Sequence, residues 1–468
     1  MPKTDFPILN RRRFLGGCAA AAACSACSSI CGAAALPAAP AARAKVRLVF
    51  SYPPKPIEGW PYKDYDHQGR SQELAARLRA ACPEIDFVNA PVPNAEAGKQ
   101  VLAADQDVDG YIVFLTGIPS SAHQPFAYSG RPTVLVDDLY GGTGAFLGTY
   151  PEARRKGMPV AGVSSTDFKD VAQAARTLAV MRKLRSSVLL DVVDRDVAAA
   201  GKAIQEALGP EIRRISGEEL EAAYRKADRG EGRKWARTWI GNAAKVVEPP
   251  VAEIERSGAM YVAMRDLMAQ HGAQGIAVDC LRFFYTGKMT AYPCLGFFQL
   301  NDDGLVGACE ADVQSAVTML VMTYLTGRPG YISDPVIDTS KNQIIYAHCV
   351  APSKVYGPAG ASNPYHIRSH SEDRKGASIR SLLPLGQITT SLKFIPEQKS
   401  VVVHQAKTVE NIDDDKACRT KLAAEVKDAR KLMGQWQYGW HRVTVYGDAR
   451  VPLEMFSDLA GIKVIEEG

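Results

Sequence analysis

Gly110-Tyr111-Ile112-Val113-Phe114-Leu115 is an apolar run without a single charged side chain. A strand with one wet face alternates apolar and polar residues. An unbroken run must be covered on both faces, as in a parallel sheet flanked by helices. The neighbouring sequence agrees. Lys45–Ser51 carries Val46, Leu48, Val49 and Phe50, 132–136 is a second β-rich run, and 72–81 has helical spacing. Residues 45–158 therefore predict a doubly wound α/β domain.

The pattern recurs from 159 to 328. Strands are expected at Val160–Val163, 187–192, 212–215, 275–284, 292–299 and 305–309. Helices are expected at 171–184, 197–208, 250–271 and 312–325. Two successive α/β units imply a second doubly wound domain. From 329 to 468 the pattern turns to short β-runs at 344–347, 377–383, 387–394, 400–405 and 441–446, with Gly, Pro and Asn between them. This segment predicts a C-terminal β-barrel-like domain with one helix near 415–432. The stretch 352–364 reads as a long loop.

The chain of 468 residues opens with Asn10-Arg11-Arg12-Arg13-Phe14-Leu15, which fits a twin-arginine signal. An Ala-rich stretch follows over 16–36, and Ala42-Arg43-Ala44 offers a small-x-small cleavage site. An ordinary secretory signal is the alternative. The weakly apolar, Ala/Gly/Ser-rich core favours twin-arginine export to the periplasm or cell envelope, with the export machinery as a partner. Pro37 and Pro40 break the run and argue against a membrane anchor.

Residues 1–44 hold five basic side chains and one acid, so the remaining chain has a net charge of +1 out of the total of +5. Near-neutrality argues against a nucleic-acid partner. Six of the ten cysteines lie beyond the signal, scattered in apolar contexts and without CxxC spacing. They read as buried free thiols.

Chemistry concentrates in the last third. Cys309-Glu310-Ala311-Asp312-Val313 opens an apolar helix. Asp334 follows Glu310 by 24 residues, His348 sits in Tyr346-Ala347-His348-Cys349, and His441 follows Trp440. Two carboxylates and two imidazoles make a mixed oxygen/nitrogen set for a divalent metal. Each also has a plainer role. Glu310 suits a helix's first turn, Asp312 a helix cap, Asp334 a loop before Pro335, and His441 a packed aromatic edge. His348 suits either ligation or a hydrogen bond to a ligand or substrate.

The run 300–312, with Leu325-Thr326-Gly327, Ala347-His348-Cys349, Ile367-Arg368-Ser369-His370-Ser371-Glu372 and Val443-Thr444-Val445-Tyr446-Gly447-Asp448, resembles the L-fucose isomerase-like sugar isomerases. L-arabinose isomerase is a more distant relative. The resemblance implies a divalent ion, usually manganese, between the second and third domains. Its ligands would fall on Glu310, Asp334 and His441, with His348 added by the arabinose branch. It implies a sugar as substrate, catalysis by Glu310 and Asp334, and an enediolate route from aldose to ketose. It also implies a homo-oligomer, trimer or hexamer. A neighbour's first domain would lid the pocket, with Trp60 or Tyr65 stacking on the sugar and His370 as a further contact. The rival expectations are a non-catalytic exported sugar-binding protein and a related metal-dependent epimerase or lyase.

Overall fold

β1 (Lys45–Ser51), β2 (Asp86–Asn89), β3 (Gly110–Leu115), β4 (Thr133–Asp137) and β5 (Val160–Val163) form a parallel sheet in the order β2-β1-β3-β4-β5. This is a computed structural model and it describes residues 43–468, so the twin-arginine motif and the stretch after it lie outside the described residues. The run 110–115 is the centre strand and is buried throughout. Ile112 and Phe114 pack with Leu74 and Leu78 of helix His67–Ala81 and with Val171 and Leu178 of helix Phe168–Arg185. Tyr111, Val113 and Leu115 pack on the opposite face with Phe126, Phe146 and Ala153. Alternate residues thus enter two different cores, which is why the run is apolar at every position.

A division at residue 158 cuts this sheet. Val160–Val163, expected in the second domain, pairs with β4 in register Thr133↔Val160, and the helix after it covers the same sheet. The boundary falls later because that helix buries its apolar stripe here.

β6 (Val188–Val192), β7 (Glu211–Ile215), β9 (Gly275–Val278) and β10 (Val306–Cys309) make a second parallel sheet in the order β10-β9-β6-β7. The two-residue β8 (Lys245–Val246) stands apart. Two expected strands are corrected. The run 275–284 is a strand only to Val278, then a helix over Cys280–Tyr285, and 292–299 gives way to helix Cys294–Asp302. Helix Val313–Thr326 follows β10 and is buried on nearly every side, matching its apolar sequence.

The C-terminal third holds β11 (Tyr331–Asp338), β12 (Gln343–His348), β13 (Tyr365–Arg368), β14 (Ser378–Ser381) and β15 (Ile388–Ile395). After them come β16 (Ser400–Asn411), β17 (Thr420–Val426), β18 (Arg442–Tyr446) and β19 (Lys463–Glu466). Six antiparallel strands run β15-β18-β11-β12-β17-β16, and pairing of β15 with β16 closes the barrel. Tyr331, Ile344, Tyr346, Leu422, Ala424 and Tyr446 share its core. The helix expected near 415–432 is instead β17 and a short helix, Ala429–Gln435, because the ladders to β12 and β16 claim that segment.

The two halves are stitched together. β14, β13 and β8 form a small sheet across them. Buried Asp302 accepts from the backbone N–H groups of Ser353 and Lys354, each at 2.8 Å. Helix Arg450–Ala460 returns to the first sheet, where Leu459 joins its core and Asp458 meets Arg154 at 2.6 Å. Among the described residues no helix is long and apolar enough to cross a membrane.

Candidate metal centre

Glu310 leaves the carboxyl end of β10, the side of an open α/β sheet where ligands are received. The next residue, Ala311, holds a left-handed φ of 56°, and Arg195 donates to its carbonyl at 3.1 Å. Asp334 comes from β11, His348 from the last position of β12, and His441 from the residue before β18. Adjacent barrel strands place these three side by side. β11 pairs with β12 through Asp334↔Ala347, and with β18 through Ser333↔Arg442. One ligand atom from each of Asp334, His348 and His441 lies within 4.8 Å of the others, and a second such group is Cys309, Glu310 and His348. All four expected ligand residues therefore meet, with His348 common to both groups.

The polar atoms at the centre are left without partners. Asp334 Oδ1, His348 Nε2 and His441 Nε2 are buried and make no hydrogen bond among the described residues. His441 Nε2 stands 3.0 Å from Asp334 Oδ1, an ion-pair distance, but its N–H is not aimed at that oxygen. Buried polar atoms are ordinarily satisfied, so a convergent group of unsatisfied ones marks a place for a ligand. The donor set of two carboxylates and imidazole suits a hard or intermediate divalent cation.

The outer contacts are complete by contrast. Asp312 caps helix Val313–Thr326, as expected, accepting from Ser315 N at 3.0 Å. Its Oδ2 also takes His441 Nδ1 at 3.0 Å and the buried Lys393 ammonium at 2.7 Å. Burial pushes the Asp312 carboxyl up, but the His441 and Lys393 hydrogen bonds outweigh it and hold it well below the usual range. Burial would lower His441, yet Asp312 and Asp334 raise it to about 9. Burial raises Glu310, with His348 pulling the other way. Asp334 is pushed up by burial and brought below its ordinary value by His348 and His441.

His370 lies at the edge of this region, 3.3 Å from Asp373 and 5.4 Å, ring to ring, from Tyr292. Tyr292, Asp373, Phe284 and Tyr285 line a cavity of about 610 Å³. The Glu372 carboxylate pushes the Tyr285 phenol up to about 12. Trp60 and Tyr65 lie elsewhere in the chain. Tyr65 lines a cavity of about 880 Å³ with Tyr52, His67 and Asn89 at the first sheet, and Trp60 is 60% exposed.

Two contributors, and a further buried acid, Asp191, escaped the sequence reading. The second role of Asp312 was hidden behind its cap. Lys393 lies in the apolar strand Ser391-Leu392-Lys393-Phe394-Ile395, and that one buried charge was the available signal. Asp191 sits likewise in Val188-Leu189-Leu190-Asp191-Val192; it is fully buried and unpartnered, and burial raises it to about 7.

No family model matches the chain. The chain is similar to curated sugar isomerases. A relative from Clostridium sp. (strain MSTE9) is 36% identical over 91 residues, 19% of this chain and 20% of that protein. One from Priestia aryabhattai is 27% identical over 178 residues, 37% and 39% of the two chains. One from Alkalicoccus urumqiensis is 26% identical over 140 residues, 30% and 31%. Each is named sulfoquinovose isomerase. The chain thus matches between a fifth and two fifths of the length of these relatives.

Proposed function

We propose that the chain is a metal-dependent aldose–ketose isomerase whose substrate is sulfoquinovose or a similar aldose. The observation that carries the reading is the group of buried, unpartnered Asp334, His348 and His441 atoms beside Glu310. The similarity to sulfoquinovose isomerases supports the reaction class.

Glu310, Asp334 and His441 would hold the ion. A divalent cation bound there would supply Lewis-acid polarisation of the sugar's carbonyl and neighbouring hydroxyl. The remaining chemistry belongs to the chain. Isomerisation moves a proton between adjacent carbons, so the site needs a carboxylate that takes it from one and returns it to the other. Glu310 fits that shuttle. It is half-buried, and burial raises its affinity for a proton, the direction that suits a group that both takes and returns one. Asp334, held below its ordinary value by His348 and His441, suits a fixed negative ligand. Asp312 and Lys393 hold the His441 ring in place. The cavity of about 610 Å³ lined by Tyr292 and Asp373, the neighbours of His370, has room for a hexose.

Incubation with Mn²⁺ and a panel of aldoses including sulfoquinovose in D₂O tests this. Deuterium at C1 of the ketose product, and at C2 of aldose re-formed from it, is expected, and Glu310→Gln should abolish both. Sugar binding without exchange would overturn the proposal.

A further inference from the structure

We propose that His348 is a hydrogen-bond donor to the substrate's oxygens and not a metal ligand, so that the two histidines of one centre hold opposite tautomers. This rests on the metal-centre reading above. The argument lies in what each Nδ1 touches.

His441 Nδ1 faces Asp312 Oδ2 at 3.0 Å. An ionised carboxylate only accepts, so Nδ1 keeps a proton, and Nε2 is the atom that can give a lone pair once its own proton has left. His348 is arranged the other way round. Its Nδ1 accepts the backbone N–H of Cys349 at 2.9 Å. A backbone amide only donates, so this Nδ1 holds the lone pair and the neutral ring bears its proton on Nε2. An N–H does not ligate a cation. Ligation through Nε2 would move the proton to Nδ1, where it would point against the Cys349 amide. Partners of this kind decide which ring nitrogen a histidine can offer.

The His348 Nε2–H then has no acceptor among the described residues. The atom is buried and unpartnered, and Asp334 Oδ2 is 4.0 Å away, beyond hydrogen-bond range. A ring nitrogen of His348 lies within 4.8 Å of a Glu310 carboxylate oxygen. A buried donor on a ring beside the residue that would take a carbon-bound proton is matched by an oxygen that becomes negative as that proton leaves. The carbonyl oxygen of an aldose does so on the way to an enediolate. A fixed N–H there stabilises the developing charge while the proton stays on nitrogen.

The assignment separates two measurements that a ligand role would join. Mn²⁺ affinity is read from the electron paramagnetic resonance of the free ion for the unsubstituted chain, His348→Ala, His348→Gln and His441→Ala. His348→Ala should bind Mn²⁺ within about threefold of the unsubstituted chain, while His441→Ala should lose about 100-fold or more. In the deuterium-exchange assay His348→Ala should be slower by about 10²- to 10³-fold, and His348→Gln, whose amide can donate, should recover part of that loss. Loss of Mn²⁺ affinity in both His348 variants to the level of His441→Ala would overturn the proposal, as would full exchange in His348→Ala. If the unsubstituted chain bound no Mn²⁺, the metal reading itself would fall, and this assignment with it.

Discussion

Two histidine–carboxylate groups share the barrel, and they are built from neighbouring positions of the same strands. Tyr346 and His348 are two residues apart on β12, and Arg442 follows His441 at the start of β18. In the inner group Tyr346 Oη lies 2.8 Å from His404 Nε2, His404 Nδ1 is 3.3 Å from Glu467, and Arg442 Nε donates to Glu467 at 3.0 Å. The other Arg442 donors reach the carbonyls of Gln437, Gly439 and His441. In the outer group Asp334, His348 and His441 each keep a buried atom with no partner. Both groups are buried and charged, so neither property tells them apart. What differs is completeness: the inner network is satisfied by the protein alone, and the outer one waits for something else.

That contrast can be broken in three places. The largest effect should follow Glu467→Ala. It leaves the Arg442 guanidinium buried and uncompensated, and denaturant unfolding should show a loss of about 3–5 kcal/mol. The folded variant should still bind Mn²⁺, because the centre is untouched. Asp334→Asn should behave in the opposite sense. Metal-free stability should fall by less than in Glu467→Ala, because Asp312 still pairs with the His441 imidazole. The stabilisation that the unsubstituted chain gains from Mn²⁺, about 2.7 kcal/mol at a hundredfold excess over Kd, should vanish. Equal destabilisation of the metal-free protein by both variants would erase the distinction.

The third effect is graded with pH. His441 is raised to about 9 in the folded chain by Asp312 and Asp334. Its charge therefore stabilises the metal-free protein fully below the unfolded value of about 6.5, and that contribution is lost as pH rises through about 9. A metal taking Nε2 must displace that proton. Mn²⁺ affinity should then rise about tenfold per pH unit toward 9, with release of one proton per ion. Calorimetry in buffers of different ionisation enthalpy measures this directly, and a pH-independent affinity would show that His441 gives up no proton.

The parallel sheets were legible because burial on both faces leaves an unmistakable pattern, as at 110–115. The barrel was less so. Thr420-Lys421-Leu422-Ala423-Ala424-Glu425-Val426 has helix-forming composition and becomes a strand because β12 and β16 pair with it on either side. Tertiary ladders override local preference in such segments. Asp334 looked like a loop residue because Pro335 follows it. It lies in β11 at the point where pairing with β18 has ended, so the missing proline N–H costs little there. The four residues expected as ligands were visible as a motif. Their unequal hydrogen bonding was not, since it depends on Asp312, which meets His441 only through the fold, and on Lys393, which meets Asp312.

Closure of the barrel also bears on how copies of this chain can meet. A ring of six strands has no free edge to lend, and the first part of β16, Ser400↔Lys463 to Val403↔Glu466, is already taken by β19. β19 is four residues long and carries Lys463 and Glu466, features that discourage pairing with a foreign strand. Any contact a second copy makes with this part of the molecule is therefore a meeting of side chains rather than an extension of the sheet.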